Sequence, residues 1–244
     1  PSHLAALQSG DSTVRLLPLQ SLIIGGEASH FAWVEQLQRL RPGCKIFNHY
    51  GPTETTVGVL TYPVFSAKPK SAGLTTPIGY PIANTQTYIL DKHLRRVPVN
   101  VSGELYIGGD NVARGYLKHL ELTNEKFFPN PFAQGVMYKT GDLARYLADG
   151  AIEFLGRGDF QVKIRGFRIE LSEIENALLQ HHSVQQCVVV AHEKIIEDKQ
   201  LVAYVVLHPD KVVTIDELRN LLQQKLPAYM LPAAIVILPS LPHS

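Results

Sequence analysis

The chain divides at residues 156–168, which read GRGDFQVKIRGFR. Before this stretch, glycine and proline separate short apolar runs, whereas after it both thin out and helical patterns take over. Within it, four cations occur in twelve residues flanked by glycines. Such a group can gather around a polyphosphate, or it can form a solvated basic strand. We place a domain boundary here, which gives two predicted domains, 1–158 and 159–244.

Composition limits the protein class. Of the 244 residues, 45% are hydrophobic and 18% are charged, enough to bury a sizeable core. The 23 basic and 22 acidic side chains leave a net charge of +1, which argues against a nucleic-acid or membrane-surface partner bound through bulk charge. No apolar run approaches a membrane span. The two cysteines, far apart in sequence, favour a reducing compartment, and we expect a cytoplasmic protein.

The first domain reads as α/β. A buried strand over residues 16–24 precedes a helix over 27–40, in which apolar residues recur at spacings of three. Further strands are predicted at 44–47, 85–90 and 104–107. The Asp149-Gly150 pair predicts a hairpin that joins strands 138–146 and 151–155.

The second domain reads as a compact α+β unit. Two sequences, Ser172-x-x-Glu175 and Thr214-x-x-Glu217, each have the capping-box pattern that opens a helix. Between them lie two apolar strands, predicted at residues 184–191 and 201–207. This alternation of strands and helices around residues 160–225 is typical of such a unit.

A first candidate binding segment, residues 48–56, reads NHYGPTETT directly after a strand. The Gly-Pro pair fixes a turn, the Thr53 hydroxyl can donate to a phosphate oxygen, and Glu54 can hold a divalent cation beside it. The ring of Tyr50 can lie on a base. An ordinary turn with a threonine cap accounts for the segment equally well.

A second candidate segment, residues 138–143, reads YKTGDL. A carboxylate after a glycine turn, here Asp142, can accept both hydroxyls of a ribose. A simple loop is the alternative. Other sequence signatures of nucleotide, serine-hydrolase and zinc-protease sites do not occur in the chain.

Five ordered blocks together resemble the adenylate-forming superfamily, specifically the amino-acid adenylation domain of nonribosomal peptide synthetases. They are residues 48–54, 103–109 continuing to 115–117, 138–143, 156–175 and 226–232. The resemblance covers essentially the whole chain. It implies part of an adenylate-forming fold: the end of the large AMP-binding subdomain (1–158) and the small, mobile C-terminal subdomain (159–244).

The family joins a carboxylic acid to ATP with Mg²⁺, forming an acyl-adenylate and pyrophosphate. It then passes the acyl group to the phosphopantetheine thiol of a carrier domain, beside a condensation domain. By position, the resemblance assigns Tyr50 to adenine, Thr53 to the α-phosphate, Glu54 to Mg²⁺, Asp142 to the ribose hydroxyls and Arg157 to the ribose or phosphate.

The resemblance also assigns the moving parts. Asp159 corresponds to the hinge of the small subdomain, and Lys163, Arg165 and Gly166 belong to the loop that its rotation brings to the active site. The family's phosphate loop is expected upstream of Pro1, and its near-terminal lysine just after the last residues of the chain. We therefore expect a fragment that is inactive by itself.

The family positions that line the side-chain pocket map to Ile23, Gly25, His49, Val57 and Gly58. Two glycines leave room for a substrate side chain, and His49 can donate to a carboxylate or, when protonated, pair with one. The half-pattern resembles pockets for aspartate. The alternative is that His49 only satisfies a loop carbonyl.

Three other functions stay open at different strengths. An acyl- or aryl-CoA ligase of the same superfamily is the nearest, although blocks 48–54 and 226–232 favour the synthetase branch. A decayed module that binds nucleotide or docks partner domains is a non-catalytic alternative, against which the retained Tyr50, Thr53 and Glu54 argue. A basic nucleic-acid module on residues 163–168 is discounted, since the net charge is near zero.

Overall fold

The computed structural model describes residues 1–7, 17–64, 73–159, 161–193 and 199–241. The predicted strand start at residue 16 and the aromatic Phe160 of the dividing stretch lie outside these residues. The chain forms two compact units, Pro1–Asp159 and Phe160–Ser244.

The first unit opens with a short helix and a small mixed sheet. The helix α1 is Ser2–Leu7, and the sheet has four strands in sequential order: β1 (Ser21–Gly25), β2 (Lys45–Tyr50), β3 (Leu60–Val64) and β4 (Tyr80–Pro81). Strands β1 and β2 are parallel, while β3 and β4 are antiparallel to their neighbours. The carboxyl ends of β1 and β2 therefore lie at the same edge, where α/β folds place their ligands.

Helix α2 (Phe31–Leu40) covers this sheet and begins later than the apolar spacing predicts. Its buried residues, Phe31, Val34 and Leu37, carry the expected spacing of three. The predicted start at residue 27 is wrong, because the chain before the helix pairs with a neighbouring loop instead. The amide of Thr76 donates to the carbonyl of Ser29 at 2.8 Å, and that of Phe31 donates to the carbonyl of Leu74 at 3.1 Å.

A five-stranded antiparallel sheet completes the first unit. Its strands are β5 (Thr85–Leu90), β6 (Gly103–Gly109), β7 (Phe127–Pro129), β8 (Val136–Tyr146) and β9 (Ile152–Arg157), with the short helix α3 (Leu120–Lys126) before β7. The order is β5-β6-β8-β7, and β9 pairs with β8. The predicted β8–β9 hairpin is confirmed. Gly150 has φ +85° at its turn, a conformation that favours glycine.

The second unit packs two helices on a three-stranded sheet. It begins with the hairpin β10 (Gln161–Ile164) and β11 (Phe167–Glu170), followed by α4 (Leu171–Leu179), β12 (Val184–Glu193), β13 (Lys199–Leu207), α5 (Ile215–Lys225) and β14 (Ala234–Leu238). Strand β13 lies centrally, antiparallel to β12 and parallel to β14. Ile174, Leu178, Leu218 and Leu222 are fully buried between the helices and the sheet.

One capping box is confirmed and the other is wrong. Thr214 accepts from the amide of Glu217 at 3.2 Å, and the Glu217 carboxylate accepts from the Thr214 amide at 2.9 Å, so α5 has the complete reciprocal box. Helix α4 instead starts at Leu171, without a side-chain cap. The Glu175 carboxylate, which the pattern predicted to cap this helix, instead accepts a hydrogen bond from the Val189 amide of β12 at 2.9 Å.

Candidate functional site

The turn after β2 holds the first predicted segment in a tight conformation. A Cβ added to Gly51 would lie 1.9 Å from the carbonyl oxygen of Val57, so only glycine fits there. Thr56 and Val57 have φ values of 62° and 70°, in the left-handed region that non-glycine residues seldom adopt. Strain of this kind persists only where the surrounding structure imposes it.

Glu54 is buried in this turn, with 8% of its surface exposed. Its Oε1 accepts a hydrogen bond from the hydroxyl of Tyr116 at 2.6 Å. Burial and this bond raise the pKa of Tyr116, so the hydroxyl keeps its proton and acts as the donor. The sequence pattern indicates no role for Tyr116, although Gly115-Tyr116-Leu117 belongs to one of the five blocks.

Tyr50, Asp142 and Arg157, from three separate sequence blocks, meet in one hydrogen-bonded group. The Tyr50 hydroxyl donates to Oδ2 of Asp142, and Arg157 Nη1 donates to Oδ1 at 2.6 Å. The amide of Asp142 also donates to Oγ1 of Thr140 at 3.0 Å. Burial, followed by the negative charge of Asp142, raises the pKa of Tyr50 and keeps its hydroxyl protonated.

Arg157 also binds the predicted hinge residue. Its Nε and Nη2 contact the two carboxylate oxygens of Asp159 at 2.6 Å each, a fork-on-fork pairing. Nη2 donates as well to the Thr140 carbonyl at 3.1 Å. Arg157 thus forms ion pairs with both Asp142 and Asp159.

The predicted pocket residues lie where β1 and β2 end. Gly25 pairs with His49 across the parallel strands, and a Cβ on Gly25 would lie 2.4 Å from the His49 carbonyl oxygen. A Cβ on Gly58 would lie 2.1 Å from Nε2 of His49. Both glycines are therefore required for the histidine to occupy its place.

His49 carries a buried polar atom, the ring nitrogen Nε2. Its Nε2 has no hydrogen-bond partner among the residues that the structure describes. Ile23 and Val57, the other predicted pocket residues, are 65% and 72% exposed. Two apolar side chains and an unsatisfied imidazole nitrogen thus accompany the two glycines, which is the chemistry of a binding surface.

The remaining predicted residues belong to the second unit. Lys163 on β10 lies opposite Arg168 on β11 in the antiparallel strand register. Arg165 and Gly166 form the turn between the two strands, with φ values of 52° and 81°. Beside this turn, Phe167 stacks on Tyr229 with ring centroids 4.2 Å apart. Residues 165 and 166 thus form a tight turn in the second unit. The roles that the resemblance assigns to its residues stay predictions.

The site suits a magnesium ion that is held mainly by the phosphate oxygens of a bound nucleotide. Within the described ranges, no three His, Cys, Asp or Glu side chains cluster as a metal cage. Mg²⁺ in nucleotide-handling sites is commonly held by one or two carboxylates together with phosphate oxygens. Glu54, a single buried carboxylate one residue after Thr53, fits that pattern. In the described part of the chain, no helix is both long and apolar enough to cross a membrane.

Two family models together match most of the chain. Residues 1–117 match the AMP-binding enzyme family, and residues 173–244 match its C-terminal domain. The chain belongs to the AMP-binding enzyme family. The matches bear on the segments that carry Tyr50, Glu54, His49 and Tyr116 and on most of the second unit.

The relatives of this AMP-binding chain include large peptide synthases. It is 46% identical over 235 residues to tyrocidine synthase 3 of Brevibacillus parabrevis, covering 96% of this chain and 4% of that protein. It is 44% identical over 248 residues to bacitracin synthase 1 of Bacillus licheniformis, covering 100% and 5%. The chain thus spans a small part of the curated relatives it matches.

Solved structures confirm the predicted fold of this AMP-binding chain, which is part of the adenylate-forming enzyme fold. PA1221, a nonribosomal peptide synthetase protein with adenylation and PCP domains, aligns with a TM-score of 0.78 at 29% identity, over 92% of this chain and 38% of that one. The Vibrio cholerae adenylation domain AlmE, in complex with glycyl-adenosine-5'-phosphate, aligns with a TM-score of 0.81 at 25% identity, over 91% and 42%.

Proposed function

We propose that this chain is part of an adenylation domain that activates an amino acid with ATP. One observation carries the proposal: Tyr50, Asp142 and Arg157, which lie in three separate sequence blocks that the resemblance assigns to the nucleotide, form one hydrogen-bonded group. A structural salt bridge alone would not require these residues to come from the three blocks assigned to ATP. The similarity to AlmE, whose structure holds an aminoacyl-adenylate, supports the same reaction.

In this proposal the chain's residues divide the work of adenylation. Asp142 accepts hydrogen bonds from the ribose hydroxyls, which replace its present donors, Tyr50 and Arg157. Thr53 donates to the α-phosphate, and Arg157 and Lys163 add positive charge against the phosphates. Glu54 would hold a magnesium ion, which would supply charge neutralisation at the phosphoryl group under attack. Asp159 acts as the hinge of a mobile subdomain that begins there.

We propose aspartate as the preferred substrate. Among the described residues the buried Nε2 of His49 has no partner, which costs free energy that an acidic side chain in the pocket recovers. Gly25 and Gly58 let His49 lie directly against the main chain, because a Cβ on either glycine would clash with it. Ile23 and Val57 supply apolar walls, while a bulky apolar amino acid would leave the imidazole unsatisfied.

The acceptor of the aminoacyl group is, in this proposal, the phosphopantetheine thiol of a carrier domain, with a condensation domain as neighbour. The PCP domain named in the PA1221 structure supports a carrier partner. Cys44 and Cys187 are both free thiols, which fits the reducing conditions of the cytoplasm. We infer that the 244 residues alone are inactive, because they span less than half of the solved adenylation chains they match.

Amino-acid-dependent ATP–pyrophosphate exchange tests the proposal. It is measured on the extended polypeptide, meaning these 244 residues with their natural flanking sequence, and on the 244 residues alone. We expect exchange only from the extended polypeptide, strongest with aspartate. The variant His49→Ala is expected to lose about tenfold or more of the aspartate exchange, the worth of a hydrogen bond to a charged group.

Each contrary outcome has a definite meaning. Exchange with a fatty or aryl acid but no amino acid would assign the chain to the CoA-ligase branch. Strongest exchange with a bulky apolar amino acid would refute the aspartate pocket but retain adenylation. Silence with every acid would favour a decayed module.

A further inference from the structure

The segment that joins β6 to α3 contacts the turn of Glu54 at the main chain. The amide of Ala113 donates to the carbonyl of Glu54 at 2.8 Å. Two residues away on each side, Oγ1 of Thr56 donates to the carbonyl of Asn111 at 2.8 Å. These bonds tie residues 111–113 to the strained turn at 54–57.

A third bond reaches the carboxylate itself. The Tyr116 hydroxyl donates to Oε1 of Glu54 at 2.6 Å across 62 residues of sequence. A bond of this length to a carboxylate that is 8% exposed fixes its direction. The segment therefore holds the backbone and the side chain of Glu54 separately.

Tyr116 is itself held in place from two sides. Its ring meets Phe127 edge-on, with centroids 5.4 Å apart and an interplanar angle of 74°. Its amide donates to Oγ1 of Thr123 at 2.9 Å. Gly115 permits this approach, since its φ is +133° and a Cβ there would lie 2.4 Å from Cγ2 of Thr123. Tyr116 thus presents its hydroxyl from a rigid support.

We propose that Tyr116 is a positioning residue for the divalent cation: its hydroxyl, supported by Thr123 and Phe127, aims the Glu54 carboxylate at the metal that accompanies ATP. The proposal deepens the proposed function and rests on the assignment of Glu54 to that metal. It assigns a role to one residue of the block at 103–109 and 115–117, a block to which the resemblance assigned no residue role. Groups that orient a metal ligand commonly change metal affinity by tenfold or more when removed.

The chain offers a matched control for the variant Tyr116→Phe. The Tyr106 hydroxyl also donates to a glutamate, Oε2 of Glu104 at 2.9 Å, and its ring also meets a phenylalanine edge-on, Phe128, at 5.9 Å and 74°. Tyr106→Phe removes the same bond type from the same kind of setting. Neither Tyr106 nor Glu104 has a place in the proposed site.

The readout is nucleotide binding rather than turnover. The dissociation constant of α,β-methylene-ATP, which cannot be cleaved between its α- and β-phosphates, is measured by calorimetry on the extended polypeptide with EDTA and again with saturating Mg²⁺. The ratio of the two constants is the gain in affinity that the metal supplies. We expect Tyr116→Phe to reduce this ratio about tenfold while leaving the constant in EDTA unchanged. Tyr106→Phe is expected to match the wild type in both.

Several results would overturn the proposal. An unchanged ratio in Tyr116→Phe would do so, as would an equal loss with EDTA and with Mg²⁺, which is the sign of a merely structural role. A wild type without a metal-dependent gain would remove the role of Glu54 and the proposal with it. Should Tyr116→Phe fail to fold, Thr123→Val decides, because it acts on Glu54 only through Tyr116; a smaller loss in the same ratio supports the proposal, and no loss refutes it.

Failure of the proposed function gives a different pattern. If no acid supports pyrophosphate exchange while the wild type binds the nucleotide with a metal-dependent gain, adenylation is refuted. The effect of Tyr116→Phe on that gain still decides the present proposal, because binding is measured without turnover.

Discussion

Arg157 lies 2.6 Å from Asp142, and the side chains of this ion pair are only 13% and 5% exposed. The same guanidinium binds Asp159, whose side chain is 39% exposed. A residue assigned to the nucleotide therefore compensates the charge of the residue assigned to the ribose. The site is stabilised internally by the groups that the ligand would engage.

Removal of Arg157 should destabilise the first unit. The variant Arg157→Ala leaves the Asp142 carboxylate buried without its cation, which typically costs about 3–5 kcal/mol. Urea unfolding of the extended polypeptide, followed by hydrogen exchange in β8 and β9, measures the loss. The double variant Arg157→Ala/Asp142→Asn removes the uncompensated charge and should recover a large part of it; equal instability of both variants would contradict the burial argument.

Gly58→Ala should disturb the pocket through His49. The added Cβ would stand 2.1 Å from Nε2, so the imidazole must rotate away. We expect a loss of selectivity for aspartate over other amino acids of about tenfold, with the dissociation constant of ATP unchanged. Gly43→Ala is the matched control, since a Cβ on Gly43 meets nothing within 4 Å. Retained selectivity in Gly58→Ala would show that His49 does not read the substrate.

Cys187 should react slowly with alkylating reagents. Burial, followed by the nearby charge of Glu175, raises the pKa of Cys187 to about 11. Because the thiolate is the nucleophile, alkylation at pH 8 should be about 100-fold slower than in the unfolded chain and should rise with pH up to that pKa. Mass spectrometry of the peptide containing Cys187 measures the rate after iodoacetamide treatment. Equal rates in buffer and in guanidinium chloride would contradict this prediction.

Thr214→Ala should loosen the start of α5. The substitution removes the acceptor of the Glu217 amide, a loss typical of about 1 kcal/mol. Amide exchange in the first turn of α5 should accelerate about fivefold, as measured by hydrogen–deuterium exchange. Thr214→Ser keeps the acceptor and should exchange like the wild type. An identical acceleration in both variants would rule out the hydroxyl as the cause.

The same capping box should weaken in acid. Hydrogen bonds from the backbone and side chain of Thr214 lower the pKa of Glu217. A carboxylate whose pKa is lowered by folding stabilises the fold above its ordinary pKa of about 4.3 and loses that contribution as the pH falls through the lowered value. The protection factors of the amides at the start of α5, which correct for the intrinsic pH dependence of exchange, should therefore fall in that window, and Glu217→Gln should remove this fall.

Local sequence patterns predicted elements best where short-range contacts decide them. The strand Thr85–Leu90 and the β8–β9 hairpin depend on alternation and on an Asp-Gly turn, both visible along the chain. The box at Thr214 needs only residues three apart. Patterns failed where a distant partner competed. Helix α2 starts at Phe31 because the loop at 74–76 pairs with the residues before it, and Glu175 left its predicted cap for the amide of Val189.

The amino-acid sequence by itself determined the family, the fold class and the residue types that can bear nucleotide-binding chemistry, because these depend on residue type and order. Tertiary structure alone decided which of these groups meet. The bonds from Tyr116 to Glu54 and from Tyr50 to Asp142 join residues 62 and 92 positions apart. No local pattern encodes such contacts, since they form only when separate strands and loops pack around a common core.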